Sequence, residues 1–160
     1  MRLLLLGATS DRALELARAY TAEGHAVRAV TPDEADRAKI EATGTECWIG
    51  TPDVVGTIRL GFDNVTLVLH LLGDVDDADL HGSRLEMLLE RTIDTTVRGI
   101  VYETGGSEAS AKGRDTLVKM ATFNEIPHRL VDRDDPDWQA TVRAHIDDLL
   151  AGNRRLNRAF

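Results

Sequence analysis

The sequence predicts an α/β domain, a doubly wound parallel sheet of about six strands with helices on both faces. Short apolar segments recur along the 160 residues, at Arg2–Leu6, Ala26–Val30, Glu46–Ile49, Val65–Leu72, Gly99–Tyr102 and His128–Val131. Each is followed by a polar or amphipathic stretch of roughly helical length. Strands that alternate with helices imply parallel pairing through right-handed crossovers. Runs with little alternation, such as Val65-Thr66-Leu67-Val68-Leu69, fit strands covered by helices on both faces. The strand order expected for such a chain is 3-2-1-4-5-6.

The first segment ends in Leu3-Leu4-Leu5-Leu6 and runs into Gly7-Ala8-Thr9-Ser10-Asp11-Arg12-Ala13. Beyond it, Leu14, Leu16, Ala17 and Tyr20 share a broad helical face. Strand, glycine turn and helix form the context in which such a turn points to a Rossmann-like dinucleotide site. A full fingerprint has three glycines: one for the turn, one for close approach of the pyrophosphate, one for helix–strand packing. Here Gly7 keeps the first place, while Ser10 and Ala13 stand in the second and third. The turn thus speaks for the fold more strongly than for a tight cofactor. Gly7, Thr9, Ser10, Asp11 and Arg12 are its candidate phosphate-side residues.

Later punctuation supports the same series. Gly24 sits where the first helix should stop, and Gly44 does the same for the second. Asp53, after Pro52, is placed to cap a short third helix at Val54–Leu60. Trp138, Val142, Ile146 and Leu149 form a one-sided stripe for a last helix docked on the sheet. Residues 1–152 read as a single domain. Residues 153–160, with Arg154, Arg155 and Arg158, read as a basic tail, either a frayed terminus or an oligomer contact.

Composition narrows the function classes. A net charge of −8 argues against a nucleic-acid partner. No stretch approaches the roughly 20 apolar residues of a membrane span. Met1–Leu6 imitates a short signal peptide, but the glycine turn and the charged helix beyond it interrupt the pattern. The single cysteine, Cys47, cannot form an internal disulfide and suits a reducing cytoplasm.

Taken together, the motifs resemble the extended and atypical short-chain dehydrogenase/reductase families. The glycine turn, amphipathic helix and Gly24-His25 follow that family's opening. Val68-Leu69-His70-Leu71-Leu72-Gly73 resembles its fourth strand, which commonly ends in His-Leu-Ala-Ala beside the cofactor. Val97-Arg98-Gly99-Ile100-Val101-Tyr102 resembles its fifth. The likeness covers about residues 1–132, and the family's C-terminal substrate-binding part has no counterpart. The resemblance implies a site for NAD or NADP, with Thr31, Asp33, Thr51, Leu72 and Gly73 beside the turn residues.

Several of those positions depart from the family pattern. Where many relatives have an arginine for the NADP 2′-phosphate, this chain has Val30-Thr31-Pro32-Asp33, and proline offers no side-chain donor. Asp33 can reach a ribose or cap the second helix. Gly50-Thr51 replaces the usual Gly-Asp that helps to hold adenine. Weak dinucleotide binding is therefore expected.

The catalytic positions depart further. The family uses Tyr-x-x-x-Lys on the helix after the fifth strand, with a Ser at that strand's end. One helical turn places the pair on one face, where lysine lowers the phenol's pKa. The corresponding pair here is Asp115-x-x-x-Lys119, with Thr104 at the strand's end. An ordinary aspartate is ionised at neutral pH and cannot donate the proton a phenol does. The pair reads more simply as an exposed i,i+4 helix salt bridge. The expected protein thus has dehydrogenase ancestry without hydride transfer. It would act as a nucleotide sensor or an oligomeric or partner-binding module, with an oxidoreductase or epimerase of non-standard site as the alternative. A ligand-free scaffold, its groove filled by side chains such as Arg12, is a third class.

Other constellations carry less. The acidic run Asp74–His81 could hold a cation or cap a helix N-terminus, and its spacing fits no calcium loop. No metal site is expected. His70, embedded in an apolar strand, reads as a satisfied core residue, and Tyr102 as a core or rim aromatic. Met87 and Phe123 fall off the core stripes of the helices after the fourth and fifth strands, so a homodimer through those helices is expected.

Overall fold

A computed structural model describes residues 1–158. Its strands are β1 (Arg2–Leu6), β2 (Ala26–Thr31), β3 (Glu46–Ile49), β4 (Leu67–His70), β5 (Ile100–Thr104) and β6 (His128–Asp132). The helices are α1 (Asp11–Ala22), α2 (Arg37–Glu41), α3 (Ser83–Ile93), α4 (Glu108–Phe123) and α5 (Trp138–Arg158). All pairings are parallel, in the order β3-β2-β1-β4-β5-β6. The order reverses between β1 and β4, which opens a crevice at the carboxyl ends of those strands.

Period-two alternation explains why β1 is leucine throughout. Leu3 and Leu5 enter the core beneath α1 and α5, while Leu4 and Leu6 enter the core beneath α3 and α4. All four are fully buried, each worth roughly 2 kcal/mol of hydrophobic stabilisation. The α5 stripe of Trp138, Val142, Ile146 and Leu149 fills the first core as its spacing predicts. Gly24 ends α1 at φ +86° and Gly44 closes α2 at φ +82°.

Some boundaries differ from expectation. The apolar run Val65–Leu72 is a strand only over β4, because Leu71 and Leu72 turn out over the sheet edge to wall the crevice. The short helix after Asp53 is a 3₁₀ segment, Val55–Phe62, whose N-cap Val54 has no side-chain cap. Asp53 instead donates its own N–H to Thr51 Oγ1, closing a local turn that removes it from the cap position. Helix α5 continues to Arg158, through much of the expected basic tail. The side chains of that tail, Arg154, Arg155 and Arg158 among them, lie outside the described residues.

Candidate functional site

The Gly7 turn is built as its sequence requires. Gly7 sits at φ +82°, and a Cβ there would collide with the Leu71 carbonyl and crowd Leu72 Cδ2. Ser10, the second-glycine position, is the N-cap of α1, its Oγ accepting from Ala13 N at 3.3 Å. A cleft of about 240 Å³ opens beside the turn. Its walls include Gly7, Thr9, Ser10, Arg12, Leu72 and Glu103.

Across the cleft lies a polar knot that sequence reasoning missed. Glu103, the fourth residue of β5, is 2% exposed. Its Oε2 accepts from Arg12 Nη2 at 2.7 Å and from Trp138 Nε1 at 2.9 Å, and its Oε1 from Gly73 N at 3.1 Å. Arg12 also donates to the Arg133 carbonyl at 2.6 Å and packs over the Trp138 ring at 4.5 Å. Gln139 returns a bond to the Arg12 carbonyl at 2.6 Å. Burial pushes the Glu103 carboxyl above its ordinary range, and Arg12, Gly73 N–H and Trp138 pull against that rise. One carboxylate thus ties α1, α5, β5 and the loop after β4 together. The signal available in sequence was the acid itself, continuing the apolar run Ile100-Val101-Tyr102 without a break.

The structure brings together half of the expected cofactor residues. Gly7, Thr9, Ser10, Arg12 and Leu72 line the cleft, and Gly73 stands behind it, bonded to Glu103. Asp11 is exposed on the first turn of α1. Thr31 is buried and bonded to Asp36 at 2.6 Å, and Asp33 caps the following 3₁₀ turn through Ala35 N at 2.9 Å. Thr51 is held by Thr57, its N–H donating to Thr57 Oγ1 at 2.9 Å. These three polar groups serve the backbone of their own loops, so the cap reading of Asp33 describes its contacts.

The expected catalytic group is not assembled at the cleft. Thr104 ends β5 and donates to the Val131 carbonyl at 3.3 Å. Asp115 and Lys119 are both exposed on α4. Asp115 pairs with Arg114 at 3.3 Å rather than with Lys119, because the neighbouring guanidinium already reaches it. The i,i+4 bridge on this helix joins Lys112 to Glu108. Lys119 lines a separate groove of about 780 Å³ with Ile93, Val118, Met120 and Phe123. The α4 residues buried on the sheet side are Ala109, Ser110, Gly113, Leu117 and Ala121, with Gly113 against the Tyr102 hydroxyl and His81.

On that α3/α4 face Tyr102 is a core residue, as its position predicts. The Val75 carbonyl accepts from His81 Nε2 at 2.8 Å, and the other ring nitrogen, Nδ1, is hydrogen-bonded to Tyr102 Oη at 2.7 Å. His70 stacks on Tyr102 with centroids 4.8 Å apart. Contrary to the expectation of a satisfied residue, its Nδ1 is buried with no hydrogen-bond partner. Burial, then the nearby His81, lowers the His70 pKa to about 3. In the acidic run, Asp77 Oδ1 accepts from Asp79 N and Leu80 N at 2.9 and 3.1 Å, so its carboxylate organises the approach to α3. Among the described residues no group of three His, Cys, Asp or Glu side chains could hold a metal ion. None of their helices is long and apolar enough to cross a membrane.

Sheet order, reversal point and glycine turn define a Rossmann-like fold of the dinucleotide-binding type. Comparison with solved structures agrees on the fold, and the neighbours include reductases complexed with NADP(H) or NADPH and a nucleotide-sugar epimerase. UDP-glucose 4-epimerase from Thermotoga maritima has a TM-score of 0.68 at 12% identity, covering 81% of this chain and 54% of the epimerase. Citrobacter triphenylmethane reductase complexed with NADP(H) gives 0.64 at 15% identity, covering 81% and 48%. Yeast methylglyoxal/isovaleraldehyde reductase complexed with NADPH gives 0.64 at 12% identity, covering 82% and 53%. At these identities the likeness is one of fold, and the chain spans about half the length of the structures it matches. No protein-family model matches the sequence, and no curated protein does.

Proposed function

We propose that the chain is a nucleotide-binding protein of NAD(P) type without hydride-transfer chemistry, serving as a nucleotide sensor or partner-binding module. The observation that carries this reading is the sheet-facing side of α4. It presents Ala109, Ser110 and Gly113, while Asp115 and Lys119 stand exposed elsewhere on the helix. Neighbours of the same fold complexed with NADP(H) and NADPH support a dinucleotide as the ligand. Ser10, which carries a side chain where the pyrophosphate needs bare backbone, supports weak binding, with Kd roughly tens of micromolar or poorer. The test pairs calorimetric titration of NAD and NADP with NADH and NADPH oxidation assays over ketones, aldehydes and quinones. Binding with oxidation at background is the expected result. Turnover that Lys119→Ala abolishes would overturn it.

A second reading is favoured by Glu103. A buried carboxyl held above its ordinary range, lining the cleft beside Thr104, is a candidate acid for an oxidoreductase or epimerase of non-standard site. That reading requires turnover that Glu103→Gln removes and Lys119→Ala leaves intact.

The same proposal includes a homodimer through α3 and α4. Phe123 is 86% exposed and Met87 43%, and the apolar groove holding Phe123 is wide. Light scattering at micromolar concentration should give about twice the 17.6 kDa chain mass, and Met87→Glu with Phe123→Glu should return it to monomer. Residues 1–152 as the folding unit and a cytoplasmic location, which the lone Cys47 suits, complete the reading.

A further inference from the structure

The cleft beside Gly7 holds about 240 Å³, less than the roughly 300 Å³ at which small-molecule sites begin. A pyrophosphate seated on the α1 N-terminus would share this space with the Arg12 side chain, which forms one of its walls. Leu71 and Glu103 are buried, and Gly7 offers only backbone. The Arg12 side chain is 33% exposed and enters the cleft from the surface. We propose that the Arg12–Glu103 ion pair is a latch on this site. A phosphate-bearing ligand draws the Arg12 guanidinium away, and Glu103 takes up a proton as it loses that counter-charge. The proposal rests on the nucleotide reading above.

The geometry sets phosphate and Glu103 in competition for one guanidinium. Both terminal nitrogens of Arg12 are engaged, Nη1 by the Arg133 carbonyl and Nη2 by Glu103. Its remaining N–H donors are free to begin a contact with phosphate, and closing two parallel bonds of the planar fork on a phosphate out in the cleft turns the guanidinium away from Glu103. Glu103 would then keep two neutral donors, Gly73 N–H and the Trp138 indole. The charged groups around it are Arg12 from α1, Asp74 from the loop after β4 and Arg133 from the segment after β6. Asp74 opposes ionisation of Glu103, as does burial. Arg133 Nε is buried without a hydrogen-bond partner, and its nearest carboxylate is Asp134 at 4.0 Å. It is a second cation for the ligand rather than a replacement partner for Glu103. An ionised carboxylate left buried without a counter-charge is costly, and protonation relieves that cost.

NAD is the appropriate probe, because its pyrophosphate diester does not titrate near neutral pH. Calorimetric titration of the wild-type chain in buffers of different ionisation enthalpy should show net proton uptake on binding. Affinity should rise as pH falls, by up to about tenfold per pH unit while uptake approaches one proton. Glu103→Gln keeps the side-chain volume but removes the charge. It should abolish the uptake, flatten the pH dependence and tighten NAD binding roughly tenfold. Binding by Glu103→Gln alone would also support a latch, one held shut in the wild type. NAD binding without proton uptake, unchanged in Glu103→Gln, would overturn the latch and leave the nucleotide reading standing. Failure of both proteins to bind NAD would overturn the nucleotide reading and the latch with it. Should the variant not fold, the wild-type proton count decides alone, and absence of binding counts against the proposal.

Discussion

The two halves of the sheet's carboxyl edge use their polar residues in opposite ways. On the β2–β3 side, Thr31 bonds Asp36, Asp33 bonds Ala35 and Thr51 bonds Thr57, partners at most six positions apart. On the β1–β4–β5–β6 side, Arg12 meets Glu103 and Arg133, 91 and 121 positions away. Trp138 and Gly73 reach Glu103 across 35 and 30 positions. One edge closes its own loops, and the other ties distant elements around a cleft. A ligand arriving at the first edge finds donors and acceptors already used within their own loops, whereas one arriving at the second finds a movable cation.

This contrast implies a large penalty for disturbing the second edge. Glu103→Leu leaves the Arg12 charge, the Trp138 indole and Gly73 N–H without their shared acceptor. It should cost about 3–5 kcal/mol, read as a lowered urea midpoint at unchanged slope. A loss below about 1 kcal/mol would mean the knot contributes little to the fold. Gly7→Ala comes next, at about 2–3 kcal/mol, because a positive φ and the Leu71 carbonyl both oppose a Cβ.

A pH test separates the two faces of the sheet. The His70 imidazole takes a proton near 6.5 in the unfolded chain but only at about 3 in the fold. The unfolded state therefore binds more protons, so this contribution is fully present above about pH 6.5 and is lost progressively as pH falls toward 3. Stability curves measured across that range should be flatter for His70→Gln than for the wild type. An unchanged slope would remove His70 from the account.

The smallest effects sharpen the comparison most. Ser10 and Asp33 are both N-caps, one on each edge, and replacing either by Ala should cost about 1 kcal/mol. Their consequences for ligand should differ. Ser10→Gly, costing only a few tenths of a kcal/mol, should tighten NAD binding, whereas Asp33→Ala should leave it unchanged. Equal effects on NAD would erase the distinction between the edges.

The same contrast explains what the sequence made legible. The strands, both helix-covered faces, Gly7, Gly24 and the α5 stripe follow from periodicity and local turn chemistry, which act over a few residues. The strand order follows from the Rossmann pattern they match. The cap at Asp33 is local too, while the cap at Ser10 lies hidden behind its reading as a phosphate-turn position. Glu103 was not legible, because nothing within several positions of it reveals that Arg12, Gly73 and Trp138 converge on its carboxylate. The expected Asp115–Lys119 pairing failed for a related reason. Helical spacing brings the two within reach, but an adjacent Arg114 takes the aspartate first. Spacing identifies possible partners, and packing selects among them.

The two tryptophans offer the most direct measurement. Trp138 donates its indole N–H to Glu103 at 2.9 Å, while Trp48, on β3, donates to the Thr57 carbonyl at 3.0 Å. Each is a single resolved reporter of one edge. Their indole signals can be followed in a ¹H–¹⁵N spectrum as NAD is added to the wild-type protein. The account predicts a saturating shift of the Trp138 indole as Glu103 exchanges Arg12 for a proton, with Trp48 moving far less. A shift confined to Trp48, or a saturated complex in which Trp138 does not move, would contradict it.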